Sequence, residues 1–228
     1  EPGVQVADSD YRYRPLRNLV GWLTILFYAM AFLGTLMVIG NVALVTIVPR
    51  SATENAALAD ALSAIAMGVV ALAVLIYLVC FIVTVPVFSK FTYRANANAR
   101  ALGAENMEHS PGWSVGWYFI PIANLFKPFQ ATKEIYIASS AHDAEDWKSM
   151  AVPGYFGWWW ATWVIGNIVG RFESRMAMRD DPTSEFLSVC AGIASGVLLV
   201  AASLLALNVV RAIAGRQTVK AQQLLSGH

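Results

Sequence analysis

Three polar residues stand where an apolar, aromatic stretch is interrupted by proline. Pro111 to Ser140 reads PGWSVGWYFIPIANLFKPFQATKEIYIASS. Pro121 and Pro128 each remove a backbone donor and crowd the preceding turn, so no straight helix runs through both. Asn124 and Lys127 sit at these breaks, and Glu134 follows. At membrane depth a broken helix leaves backbone groups that protein, water or a ligand must satisfy, and transporters hold substrates at such breaks. Asn124, Lys127 and Glu134, with Trp117 and Arg94 nearby in sequence, are therefore candidate contacts for a lipid or small ligand. The same residues also fit a hairpin on the membrane surface, with Asn124 capping a helix end and Lys127 snorkelling to the headgroups.

Other residues of chemical type form weaker patterns. His142, Asp143, Glu145 and Asp146 are near neighbours of metal-ligand type, but their spacing matches no dedicated site and reads as a solvated loop. Cys80 and Cys190 lie inside apolar runs and read as small buried hydrophobes. There is no Ser-His-Asp order, phosphate loop, dinucleotide glycine pattern or CxxC pair. No catalytic set, cofactor or metal is expected. Tyr155, Phe156, Trp158, Trp159, Trp160 and Trp163 form an aromatic belt of the kind found at membrane interfaces; the rival is a stacking platform for a flat ligand. Arg94, Arg100, Lys127 and Lys133 suggest a basic face towards anionic headgroups, each charge worth about 1 kcal/mol there.

The elements that must position these residues are membrane spans. Of the 228 residues, 57% are hydrophobic and only 14% charged, against about 25% charged in soluble domains; mean hydropathy is +0.53. The net charge of +1 points to no polyanion such as nucleic acid as partner. A span needs about 20 apolar residues, and four charge-free runs qualify: 19–48, 61–89, 149–170 and 186–210. The fold expected is an all-α integral membrane protein with four transmembrane helices and a re-entrant or interfacial broken helix, 111–140, between the second and third. Residues 1–18 form an N-terminal segment, 19–211 the membrane domain and 212–228 a tail. Pro86 is placed to bend the second span, and Gly103 to stop an Ala-rich helix that continues out of it. Lys133 to Ser140 reads as a surface helix, 51–60 and 171–185 as loops, and the tail as an amphipathic helix. The first run is too long for a signal-peptide core, and the start at Glu1 suggests that further residues precede it.

With both termini in the cytoplasm, twelve of the sixteen Lys and Arg residues fall on the cytoplasmic side, as the positive-inside rule requires. A full crossing by 112–129 would put the C-terminal basic cluster outside. Gly166 with Gly170, and Gly192 with Gly196, have GxxxG spacing, which brings helix backbones close. They suggest contact between the third and fourth spans or with another protein. Asn41, Asn167 and Asn208 are expected to bridge helices. The four spans hold no Asp, Glu, Lys, Arg or His, which argues against an ion-driven pump built from them alone.

Three features together resemble the bacterial membrane family known as domain of unknown function 4328. They are FTYRANANARALG at 91–103, the core PGWSVGWYFIPIANLFKPFQATKE at 111–134, and the Trp-rich run at 158–163. The resemblance covers roughly Leu16 to Gln217. It implies a protein of the bacterial inner membrane and a longer N-terminal region, and it carries no activity. Residues and resemblance together favour a non-catalytic accessory or scaffold subunit that packs against a larger membrane complex. The alternative is a binder or carrier of lipid or a small molecule at 111–140.

Overall fold

The computed structural model describes residues 11–47, 55–139 and 150–226. The described residues form helices and no strand. In chain order these are α1 (Arg17–Thr46), α2 (Ala56–Ala101), α3 (Pro111–Gly116), two 3₁₀ turns (Trp117–Phe119 and Ala123–Leu125), α4 (Lys127–Ala138), α5 (Tyr155–Ala177) and α6 (Pro182–Ser226). Three of them, α1, α2 and α6, are long and apolar enough to cross a membrane. α5 has 23 residues, but its Trp-rich start and the charged RFESR at its end dilute its hydropathy.

Helix ends follow local chemistry. Asn55 caps α2, its side chain accepting from the Leu58 amide at 3.2 Å. α2 ends in a Schellman motif: the Ala104 amide reaches the Ala99 carbonyl, the Gly103 amide reaches Arg100, and Gly103 takes φ +89°. Gly103 thus stops the helix as expected. Pro86 lies inside an unbroken 46-residue α2 and denies the Ile82 carbonyl its usual donor. Asp181 accepts from the Ser184 amide at 2.8 Å, with Pro182 as the first residue of α6. The Ser184 hydroxyl and amide hold the Asp181 carboxyl below its usual range.

Three sequence expectations need correction. The loop expected at 171–185 shrinks to 178–181, because α5 continues to Ala177. The loop expected at 51–60 is already helical from Ala56. α6 runs unbroken for 45 residues, so 212–226 continues that helix instead of forming a separate one. No helix breaker stands in α6 between Val210 and Ser226 except Gly215, which a helix tolerates. The polar loop with His142, Asp143, Glu145 and Asp146 lies outside the described residues.

The chain divides into two compact units. The first contains Glu1–Ile25, Thr84–Gly157 and Leu205–His228; the second contains Leu26–Val83 and Trp158–Leu204. In the first, Leu23, Phe91, Ala95, Ile135, Phe156, Val210 and Ile213 are essentially inaccessible to solvent. In the second, Leu33, Met37 and Ala73 form the centre, with Leu36, Tyr77, Cys80 and Leu199 against them.

Small residues set the helix crossings of the second unit. A Cβ on Gly196 would meet Val38 Cγ2 at 2.7 Å and the Gly34 carbonyl at 3.2 Å. α1 and α6 therefore cross backbone to backbone at Gly34 and Gly196. A Cβ on Gly40 would meet Val70 Cγ2 at 2.4 Å, which marks the close approach of α1 to α2. The predicted glycine pairs are used unevenly. Gly166 faces Leu198 of α6 at ordinary contact distance, and Gly192 lies against Asn41 and Glu173. Gly170 faces open space, so the pair on α5 does not act as a unit, and Gly196 serves α1. Asn41 and Asn167 donate to Met37 and Trp163 of their own helices at 2.9 and 2.8 Å, and Asn208 is exposed. None of these bonds bridges two helices, since a carbonyl one turn back is nearer than a neighbouring helix.

Candidate functional site

The alternating polar residues of Ala95-Asn96-Ala97-Asn98-Ala99-Arg100 organise the first unit. Alanine at every second position lets neighbours approach α2, and the polar side chains meet them. Asn98, 1% exposed, grips the backbone of Arg14: its Oδ1 accepts from the Arg14 amide at 2.9 Å and its Nδ2 donates to the Arg14 carbonyl at 2.8 Å. Nδ2 also reaches Gln217 Oε1 at 3.1 Å. Gln217, fully buried, donates to the Ala95 carbonyl at 2.7 Å and to Ser139 Oγ at 2.9 Å. One pair of amide side chains thus ties the N-terminal segment, α2, the end of α4 and α6 together. A buried amide left unpaired costs about 1–3 kcal/mol, so such a network is strongly specified once formed.

Arg100 is spent on the same framework. Its Nε donates to Asn96 Oδ1 at 3.1 Å, and its guanidinium donates to the carbonyls of His109 and Met107 at 3.0 and 3.3 Å. Asn96 Nδ2 donates to the His109 carbonyl at 2.9 Å. Arg100 therefore leaves the basic face expected with Arg94, Lys127 and Lys133, which are half-buried.

Glu134 closes the loop before α3 from the other side. Its carboxylate accepts from the Glu108 amide and from the His109 amide at 3.1 Å, and lies 2.8 Å from His109 Nδ1. Burial opposes ionisation, but the His109 ring and the two amides outweigh it and hold the carboxyl below the usual range. Both oxygens are engaged within the protein, so the geometry of Glu134 is that of a buckle. α4, expected on the surface, is mostly buried: Ala131, Ile135, Tyr136, Ile137 and Ala138 are enclosed, and the Arg216 guanidinium lies 3.7 Å from the centre of the Tyr136 ring. Its polar side, with Lys127, Gln130, Lys133 and Glu134, is half-buried or exposed, and the apolar side is enclosed.

The proline-broken segment follows directly. Ser110 caps α3, accepting from the Trp113 amide at 3.3 Å, with Pro111 as its first residue. The chain then passes through the 3₁₀ turns, with Ile120 extended between them and Pro121 just beyond. Tyr118 packs edge-on against Phe88 of α2 at 6.0 Å. Trp117 lies at 4.7 Å from Trp113 and edge-on to His109 at 6.5 Å, and Lys127 Nζ sits 5.7 Å from its ring centre. Asn124 does not cap α4: Phe126 holds that position without a side-chain cap. Asn124 Oδ1 and Trp117 Nε1 are buried and have no hydrogen-bond partner among the described residues. Beside them the segment exposes Trp113, Phe119, Ile122, Leu125 and Phe126, with Ile122 at 76% and Phe119 at 67%.

The five predicted ligand residues therefore separate. Trp117, Asn124 and Lys127 belong to the exposed broken segment, Glu134 to its inner fastening, and Arg94 to the half-buried part of α2. The aromatic run divides as well. Phe156, Trp159 and Trp160 are buried, Trp158 is exposed, and Trp160 and Trp163 stack on each other at 4.9 Å. Sequence reasoning passed over Asn96, Asn98 and Gln217. The available signal was amides repeating every second residue in an alanine run, where a solvated helix would carry charge.

No curated protein and no solved structure matches the chain. The family described as domain of unknown function (DUF4328) matches residues 50–215, which include both the FTYRANANARALG run and the broken segment. By that match the chain belongs to the family of domain of unknown function 4328.

Proposed function

We propose that the protein is a non-catalytic membrane protein that binds lipid through its proline-broken segment, as an interfacial element of a four-span bundle. One observation carries the reading. Five exposed apolar side chains of one short segment stand beside Lys127 and beside a buried donor and acceptor, Trp117 Nε1 and Asn124 Oδ1, that the described residues leave unmatched. Apolar tips suit acyl chains, the ammonium suits a headgroup phosphate, and the indole is at home at the interface. In this arrangement α5 also crosses, as the third of four spans, and both termini lie in the cytoplasm of a bacterial cell, on the side that holds twelve of the sixteen basic residues.

The test is depth. A spin label on Ile122→Cys, with Cys80 and Cys190 replaced by Ala, is placed in bilayers containing phosphatidylglycerol. Collision with oxygen should exceed collision with a water-soluble nickel chelate. The reverse ranking would put the segment in water and end the proposal. A companion measurement is Lys127→Gln, which should weaken phosphatidylglycerol retention in native mass spectrometry.

A second reading, an accessory or scaffold subunit of a larger membrane complex, is favoured by α2. Only 11% of its most apolar stretch is buried. Co-migration of the protein with a stoichiometric partner after mild extraction supports that reading, and a lone chain under the same conditions rejects it.

A further inference from the structure

The second unit carries a half-open cavity of about 530 Å³, within the size range of sites for small organic ligands (~300–1,000 Å³). The lipid-binding reading above does not use it. Much of its wall is apolar and includes Val70, Val74, Leu198 and Leu199. A polar cluster of Asn41, Glu173 and Ser195 also lines it.

The hydrogen bonds of that cluster leave it rich in acceptors. Ser195 Oγ donates to Glu173 Oε2 at 2.7 Å. Asn41 spends an amide hydrogen on the Met37 carbonyl at 2.9 Å. Glu173 Oε1 and the Asn41 amide converge on Gly192, where each would stand 3.0 Å from a Cβ. Glycine there leaves room for both. Glu173 Oε1 and Asn41 Oδ1 carry no hydrogen bond among the described residues. Two acceptors, one of them charged, ask for a group with several donors and positive charge, and a primary ammonium with three N–H donors is that group.

Arg171 and Arg175 line the same cavity and are exposed. Neither forms an ion pair with Glu173 among the described residues. A simple cation would meet their repulsion, whereas a headgroup that also carries a phosphate would gain guanidinium contacts. We propose that this cavity holds one aminophospholipid, with its ammonium on Glu173 and Asn41, its phosphate on Arg171 or Arg175, and an acyl chain along Val70, Val74 and Leu198. The site is distinct from the broken segment and stands or falls separately.

The full chain in mild detergent is titrated with phosphatidylethanolamine, and the bound fraction is read by native mass spectrometry. Glu173→Gln should weaken binding about tenfold or more, the scale of a hydrogen bond to a charged group. Val74→Trp, a change at a half-exposed position of the apolar wall, should weaken it as well, while Lys127→Gln should not. Unchanged binding in Glu173→Gln overturns the proposal. Loss in Lys127→Gln with none in Val74→Trp places this lipid on the broken segment and also overturns it. Should Glu173→Gln fail to fold, the exposed pair Arg171→Gln with Arg175→Gln replaces it: weakened binding supports the site, and unchanged binding overturns it.

Discussion

Replacing Glu134 by Gln keeps the side-chain volume and removes the charge. One of the two oxygens becomes an amide group, which cannot accept from the Glu108 or His109 amide. The His109 ring also loses its charged partner at 2.8 Å. Each hydrogen bond to a charged group contributes about 1.5–3 kcal/mol. The three share one carboxylate, so their losses do not add. The side chain is 10% exposed, which lets water recover part of the loss. A destabilisation of about 2–4 kcal/mol is expected on this basis. The pH dependence has a definite sign. The folded pKa lies below the unfolded one, so the stabilisation is present above the unfolded carboxylate pKa, about 4.3, and is lost as pH falls through the lower folded value. Unfolding in mixed micelles with increasing SDS should show wild type losing stability as the pH falls below the unfolded carboxylate range, about 4.3. Glu134→Gln should start lower and change less over the same range. Limited proteolysis should cut the variant faster between 102 and 110. A variant that unfolds at the wild-type SDS fraction, with the same protection of 102–110, would refute the buckle.

Other substitutions probe the remaining framework. Asn98→Leu leaves the Arg14 backbone and Gln217 Oε1 without partners inside the first unit, and should cost about 3–5 kcal/mol and expose residues 11–16 to hydrogen exchange; retained protection there would contradict the clamp. Gly103→Ala forces a side chain into φ +89° with no steric clash, so thermal unfolding should fall by the equivalent of about 1–2 kcal/mol. Gly196→Ala should destabilise by about 1–3 kcal/mol through overpacking against Val38 and Gly34. Gly170→Ala, which faces open space, should instead stabilise α5 by up to about 1 kcal/mol. Equal effects in SDS titration at these two glycines would dismiss the α1–α6 crossing. A periplasmic phosphatase fused at the C-terminus should be inactive, and activity there would exclude the four-span arrangement.

Much of this protein could be read before any coordinates. Charge-free runs longer than a bilayer crossing fix helices α1, α2 and α6, because no other backbone arrangement of that length satisfies its hydrogen bonds in hydrocarbon. Gly103 stopped α2 and the prolines broke 111–140, since both act through the local chain. Family membership was likewise legible in the 91–103 and 111–134 motifs. Partnership was decided only by the tertiary structure. Asn98 and Gln217 are 119 residues apart in sequence and 3.1 Å apart in space, and local spacing cannot foretell such a pair. Glu134 and Arg100 read as charges available to a ligand, and the fold turned both inward onto one loop. Glu173 read as a loop residue because charge normally ends a span, yet α5 carries it one more turn to meet Ser195. Glycine spacing marked Gly166, Gly170, Gly192 and Gly196 equally, and helix crossings decided which of them bear contacts. The sequence determines where the backbone must be helical, through period, length and chain stiffness. Which polar side chains stay free for function depends on which helices meet, a property of packing that no local stretch encodes.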